Sequence, residues 1–326
     1  MKDIAKIAGV TQPTVSHVIN GTASISKEVC NRVNGVIREL NYRPNALAKG
    51  LKTNKTNIVG LIVPDVGNGY YALVARAVES TLVKLGYAVF LACTEYNETA
   101  EINYLDNLLQ YNVEGIILAY QLTNRLLIDK LIRMNKPFVT LDDELWKAPA
   151  SSVHVNHFEG GYAATEYLLS IGRKRVAYAS EPLTQEAIKE RLSGYKKAHA
   201  DRGILVDKNL VFTAHSTYDK FKMGLELGRK IAAENPDGIF AASDSVAFGV
   251  LRALAEAGKR VPGDVAVVGY DDIPMAKVAT PALTTIAQPV AKMAEIGIGK
   301  LVAMMQGEVI QKESVLKPKL VIRETA

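Results

Sequence analysis

Cysteine is nearly absent. The 326 residues contain two, Cys30 and Cys93, too few for a disulfide framework and better suited to reduced, buried thiols. Long apolar runs are lacking as well. No stretch approaches the roughly 20 residues that a membrane-spanning helix needs, and the N-terminus lacks the continuous apolar stretch of a signal peptide. A cytoplasmic location with no membrane partner is therefore expected. The five histidines form no cluster at metal-ligand spacing. His154 and His157 are three apart but straddle a strand–helix boundary and read as cleft or surface residues, so neither a metal nor a cofactor is expected. Catalytic signatures are missing too: there is no phosphate-binding loop, no Gly-x-Gly-x-x-Gly after a strand and no Gly-x-Ser-x-Gly elbow. The acid pairs Asp142-Asp143 and Asp271-Asp272 are sequence neighbours, whose side chains point apart more often than together. An enzyme is not expected.

What the chain does have is an uneven charge distribution. Its first 57 residues hold nine Lys/Arg against three Asp/Glu, a surplus of +6, while the other 269 sum to −1. A basic head on a near-neutral body is the footprint of a segment that meets a polyanion, since phosphate neutralisation and counterion release supply most non-specific nucleic-acid affinity. The head also has a pattern. Ile4, Ile7 and Ala8 recur at helical spacing; Gly9 can turn the chain with positive φ, Thr11 can cap a second helix, and Pro13 fits that helix's first turn. The second helix is predicted over residues 12–19, with Val15, Val18 and Ile19 inward and Gln12, Pro13, Ser16 and His17 on or beside its outer face. A third helix begins after Ser26 with Val29, Val33, Val36, Ile37 and Leu40 as its core stripe. Two short helices joined by a Gly-containing turn and braced by a third form a helix-turn-helix.

Asp3-Ile4-Ala5, then the run from Gly9 through Thr11, Gln12, Pro13 and Thr14 to Asn20-Gly21, and later Asn41-Tyr42-Arg43-Pro44-Asn45-Ala46-Leu47-Ala48 closely resemble the lactose-repressor/purine-repressor (LacI/GalR) family. The resemblance implies that Gln12, Pro13 and His17 read base edges in the major groove. Gln can pair bidentately with adenine, His can donate to a guanine acceptor, and Pro offers an apolar surface to a thymine methyl. Thr11, Thr14, Ser16 and Asn20 carry short polar side chains suited to phosphate contacts, which fix register. Residues 45–52 are too short for a stable isolated helix. The resemblance makes them a hinge helix, headed by Asn45, that pairs with its dimer mate in the minor groove, Ala48 allowing close approach and Leu51 entering between base pairs. The chain departs from the family in beginning at Met1-Lys2-Asp3, without the usual Thr cap upstream: either the true start lies further upstream or the first helix relies on Asp3 near its positive end.

From Ile58 the texture changes. Apolar runs at 58–63, 89–92, 115–118, 138–141, 176–178, 238–241 and 265–269 read as buried parallel strands. Amphipathic stretches at 71–85, 100–111, 162–171, 190–200, 219–233 and 246–257 read as the helices between them. Alternating strand and helix argue an α/β, doubly wound architecture, and this length allows two subdomains. The expected organisation is a helix-turn-helix domain over 1–44, a hinge helix and linker over 45–57, and a core over 58–326 that breaks near Ser152–Asn156 and resembles periplasmic sugar-binding proteins. The resemblance implies three crossings between lobes, the later two near Gln288 and Gln311. The first lobe then takes about 58–155 and 290–310, and the second about 156–287 and 311–326, with a last strand over 315–322.

In open α/β sheets, ligands sit beyond the carboxyl ends of the strands. Effector-binding candidates at those ends, on the family's pattern, are the aromatic pair Tyr70 and Tyr71, Arg191, Ser243, Asp271 and Gln288. A guanidinium at position 191 can fork onto vicinal hydroxyls or a carboxylate, and Asp271 can accept from a hydroxyl or an amine. Asp244 reads equally as a helix cap or a ligand contact. Asn156 stands where an acidic residue is frequent. Gln185 and Ala187 replace the purine-reading residues, which disfavours a purine effector, while the presence of Arg191 favours a small molecule. The expected function is a sequence-specific DNA-binding transcription regulator, a repressor controlled by a carbohydrate effector. It would act as a homodimer on a pseudo-palindromic double-stranded operator; no Leu-heptad tail suggests a coiled-coil tetramer. The alternative is a solute-binding or sugar-sensing protein without operator specificity.

Overall fold

The computed structural model describes residues 1–42, 56–120, 122, 126–142, 151–215, 219–308, 310–311 and 313–326, with Asn20 by its backbone alone. The chain divides into two compact units, Met1–Thr56 and Asn57–Ala326.

The first unit holds helices α1 (Lys2–Ile7), α2 (Gln12–Asn20) and α3 (Lys27–Glu39). Gly9 turns the chain at φ +63° between α1 and α2, and Gly21 ends α2 at φ +62°, conformations that an L side chain resists. Ile4, Ala5, Ala8, Val15, Val33 and Val36 form the core, with Val18, Ile19, Val29 and Ile37 packed around it. Two expected core positions lie elsewhere. Ile7 is 56% exposed and Leu40 45%, because the six-residue α1 buries a seam through Ile4, Ala5 and Ala8 that leaves Ile7 to one side, and because Leu40 already caps the end of α3.

In the second unit, β1 (Ile58–Val63), α4 (Gly69–Lys84), β2 (Ala88–Cys93), α5 (Glu98–Gln110), β3 (Gly115–Leu118), α6 (Leu126–Arg133), β4 (Phe138–Leu141) and β5 (Ser151–Val155) build a first lobe. The second lobe follows with α7 (His157–Ser170), β6 (Val176–Ser180), α8 (Glu186–Asp201), β7 (Val211–Thr213), α9 (Lys220–Ala233), β8 (Gly238–Ala241), α10 (Asp244–Glu256), β9 (Ala266–Asp271), α11 (Pro274–Val278) and β10 (Thr284–Ala287). Helix α12 (Val290–Met305) returns to the first lobe, where Met293, Ala294, Ile298 and Leu301 join its core. Strands β11 (Glu313–Leu316) and β12 (Lys319–Val321) end the chain.

The first sheet has the order β11-β5-β4-β3-β1-β2 and the second β12-β10-β9-β8-β6-β7. Every pairing is parallel except β10 with β12. Strands covered on both faces read as continuous apolar runs, and in β1 Val59 through Val63 are all buried.

The break expected near Ser152–Asn156 falls at Asn156, directly after a strand that the sequence did not announce: β5 pairs with β4 before the chain crosses. One expectation needs correction. The predicted last strand is two strands in two sheets. β11 pairs with β5 in the first sheet and β12 with β10 in the second, so the third crossing falls at Lys317-Pro318 and not near Gln311, whose carbonyl accepts from Ser151 Oγ at 3.0 Å in the first lobe. Pro318 lacks the N–H that a continuous ladder would use.

Candidate functional site

In the head, Thr11 caps α2. Its Oγ1 accepts from Thr14 N at 3.3 Å and shares a 2.8 Å hydrogen bond with Thr14 Oγ1. Gln12, Pro13 and His17 are exposed. His17 Nδ1 bonds Thr22 Oγ1 at 2.9 Å, which holds the ring and leaves Nε2 for a partner. Ser16 is half-buried; Asn20 closes α2 but its side chain is not among the described atoms. Asn45, Ala48 and Leu51 lie outside the described residues.

The cleft of the second unit opens beyond the carboxyl ends of both sheets and encloses about 700 Å³, counting its open mouth. Tyr70, Tyr71, Asp142, His157, Arg191 and Asp271 are among the residues that line it. Local sequence aims each one. Asn68 caps α4 through Tyr70 N at 3.1 Å, setting both tyrosines in the first turn. Asp142 follows β4 directly. Asn156 accepts from Glu159 N at 2.8 Å and so starts α7 at His157. Arg191 lies in α8, which approaches α7 backbone to backbone. A Cβ on Gly161 would stand 2.2 Å from Arg191 O, and one on Gly194 2.2 Å from Phe158 O. The glycine in the Leu-x-Gly-aromatic run thus serves helix approach and thereby brings Arg191 to His157.

These side chains join into one polar chain across the lobes. Tyr70 donates to Asp142 Oδ2 at 2.8 Å, and His157 Nε2 lies 2.8 Å from Asp142 Oδ1. Arg191 donates to His157 Nδ1 from Nε at 3.3 Å and from Nη2 at 3.2 Å, and to Ala242 O from Nη1 at 2.7 Å. Its guanidinium rests 3.8 Å from the ring centre of Tyr270, whose hydroxyl is 3.0 Å from His157 Nδ1. Arginine only donates, so Nδ1 must accept and the His157 proton sits on Nε2, facing Asp142. Burial, with Arg191 alongside, keeps His157 below its ordinary pKa against the pull of Asp142. Burial opposes the Asp142 carboxylate, but His157, then Arg191 and Tyr70, outweigh it and hold the group well below the usual carboxylate range.

Asp271 ends β9 in the positive-φ region, at 124°, and accepts from Gln288 Nε2 at 2.7 Å. Burial pushes its pKa up to about 7 against the attraction of Arg191 and Lys220. Ser243 and Gln288, both buried, are not among the cleft-lining residues. Ser243 caps α10 through Val246 N at 3.4 Å, while Gln288 stands behind Asp271. Asp244 is therefore not the cap. It is buried, accepting from Thr285 Oγ1 and from Ile273 N at 2.9 Å, and burial followed by repulsion from Asp271 raises its pKa. The sequence reading missed Asp142, whose position directly after a predicted strand was the available signal. It also missed Lys220, which lines the cleft with its Nζ 2.7 Å from Glu181 Oε1; that pair is 39 positions apart in sequence and no spacing announces it.

Residues 1–45 match the model for bacterial regulatory proteins of the lacI family, and residues 146–326 match that for a periplasmic binding protein-like domain. The ribose operon repressor of Escherichia coli (strain K12) is 34% identical over 330 aligned residues, covering 100% of this chain and 99% of that one. The structure of the lac repressor dimer bound to operator and the anti-inducer ONPF superposes with a TM-score of 0.87 at 27% identity, covering 99% of this chain and 97% of that one. A LacI family transcriptional regulator from Enterococcus faecium with bound ribose gives a TM-score of 0.74 at 29% identity, covering 82% and 98%. A DNA-reading head joined to a two-lobed ligand-binding core defines a ligand-controlled regulator of transcription and not an enzyme. The chain belongs to the lacI family of bacterial regulatory proteins.

Proposed function

We propose that the protein is a cytoplasmic, homodimeric repressor of carbohydrate-use genes whose affinity for a pseudo-palindromic operator is set by a sugar in the inter-lobe cleft. The observation that carries this reading is the polar chain from Tyr70 and Asp142 in the first lobe to His157, Arg191 and Tyr270 in the second. A ligand entering among these groups exchanges bonds with both lobes. Its affinity then depends on how the lobes stand, and by linkage it shifts whichever lobe arrangement the operator favours. Arg191 and Asp271 contact the sugar hydroxyls, and Tyr70 and Tyr71 supply apolar surface. Ser243 and Gln288 act from behind, one by starting α10 and the other by orienting Asp271. The ribose named with two of the relatives supports a sugar, and the operator-bound dimer supports the assembly.

In the head, Gln12, Pro13 and His17 read bases, while Thr11, Thr14, Ser16 and Asn20 hold phosphates. Asn45, Ala48 and Leu51 act at the minor groove, with Leu51 opening a base step. One short recognition helix spans only a few base pairs, so two half-sites are needed for specificity.

The test selects operator sites for the purified chain from random DNA, then measures how a panel of sugars changes binding to the winners. A palindrome whose occupancy responds to one sugar in the wild type, but not in a folded Arg191→Ala variant, is expected. A full response in that variant would remove the cleft from the mechanism, and no enriched motif would remove operator recognition.

A further inference from the structure

The unsatisfied polar atoms around the cleft are nearly all acceptors. Glu181 Oε2 and Gln288 Oε1 are buried with no hydrogen-bond partner among the described residues, and so is His154 Nδ1. Of these residues only His154 lines the cleft; Glu181 and Gln288 stand behind it, Glu181 paired with the lining Lys220 and Gln288 bonded to the lining Asp271. The acceptors that do line the cleft, the carboxylates of Asp142 and Asp271 among them, favour a ligand that brings donors. Hydroxyls bring a donor and an acceptor together, whereas a phosphate dianion or a carboxylate brings acceptors alone.

Charge points the same way. The lining carries the cations Arg191 and Lys220 against the carboxylates Asp142, Glu186, Glu190 and Asp271. Both cations are already engaged. Arg191 places three of its five N–H groups on His157 and Ala242, leaving two for a ligand, and Lys220 is matched by the buried Glu181 at 2.7 Å. An anion entering here would find Lys220 already neutralised and would face the lining carboxylates of Asp142 and Asp271 beside the Arg191 guanidinium.

Resting on the reading of a sugar-controlled cleft, we propose that the site selects neutral polyhydroxylated ligands over phosphorylated or acidic sugars, and that the Lys220–Glu181 pair sets this selectivity. Glu181 cancels one of the two lining cations that would otherwise receive a phosphate.

Calorimetric titration of the full chain with matched pairs tests this: D-ribose against D-ribose 5-phosphate, D-glucose against D-glucose 6-phosphate, and D-glucose against D-glucuronate. The neutral member of at least one pair should bind at least tenfold more tightly than its anionic partner. Glu181→Gln, which uncovers Lys220, should move that ratio toward the phosphorylated member by about tenfold, and Lys220→Gln should move it the other way. Binding of an anionic member in preference would overturn the inference while leaving sugar control intact. A ratio unmoved in the folded variants, or moved in the same direction by both, would remove the pair from selectivity. Failure of every sugar, neutral and anionic, would overturn the sugar reading itself, and this inference with it.

Discussion

Asp142 and His157 meet at 2.8 Å although they stand on opposite sides of the first crossing between the lobes. One follows the last residue of β4 and the other opens α7. Between them the chain makes β5, so this hydrogen bond closes a loop over the crossing and ties the relative position of the lobes to the protonation and orientation of two side chains. Gly69 and Ile273 make an apolar counterpart nearby: Ile273, which follows β9 of the second lobe, packs in the first-lobe core, and a Cβ on Gly69 would stand 2.8 Å from its Cδ1.

Replacing Asp142 by Asn should destabilise the core by about 1–3 kcal/mol, the cost of removing one partner of a buried charge-assisted hydrogen bond. The folded-state pKa of Asp142 lies below its unfolded value, so its contribution is fully present at neutral pH and disappears as pH falls through the acid range. The difference in unfolding free energy between wild type and Asp142→Asn should therefore stay constant from pH 8 to 5 and narrow only below about pH 4. Denaturant melts across that range measure it; a gap that does not narrow in acid would show that the charge is not what stabilises the joint.

Asp271 should behave in the opposite sense. Its pKa, pushed up to about 7 by burial, lies above the unfolded value, so the protonated form is favoured on folding and stability is lost as pH rises through 7. Asp271→Asn keeps an acceptor for Gln288 and removes the buried charge. Its melting temperature should match wild type near pH 4 and exceed it by several degrees at pH 8, while sugar affinity falls at least tenfold because the acceptor is weaker. Equal melting curves at every pH would show that Asp271 titrates as an ordinary carboxylate.

Gly194→Ala addresses helix approach. The added Cβ would meet Phe158 O at 2.2 Å, and because the obstacle is backbone, α7 and α8 must separate; overpacking of this kind costs about 1–3 kcal/mol. Separation would also draw Arg191 from His157, so the operator's response to sugar should weaken together with stability. Full stability and full response would mean that the close approach is not needed to hold the pair.

The order of strands and helices was legible because parallel strands covered on both faces must be apolar throughout and the helices between them amphipathic; 58–63, 115–118, 138–141 and 238–241 coincide with the observed strands. Ser151–Val155 was not, since Ser151, Ser152 and His154 break the apolar run even though β5 is almost wholly buried. Its polarity is tolerated because Ser151 donates to Gln311 O and His154 faces Glu313 on the neighbouring strand. Similarly, 315–322 looked like one strand because sequence cannot tell which sheet claims each end, and only Pro318 hinted at the division. The family resemblance pointed to Tyr70, Tyr71, Arg191 and Asp271, and all four line the cleft. Their partners were not legible, because the bond from His157 to Arg191 depends on a helix crossing set by Gly161 and Gly194.

The head offers a contrast between two adjacent residues. Gln12 is exposed at the start of α2, whereas Thr11 spends its hydroxyl on the cap. Gln12→Ala should relax preference at one base pair per half-site, costing about 1–3 kcal/mol of discrimination if the amide pairs with adenine, with no change in stability. Thr11→Ala should instead lower the stability of the head by about 1 kcal/mol and weaken binding to all sites evenly, leaving the selected motif as it was. Selection from random DNA with each variant, read beside thermal melts, separates the two. A motif altered by Thr11→Ala and untouched by Gln12→Ala would reverse the assignment, placing base reading on the cap and making Gln12 a bystander on the solvent face.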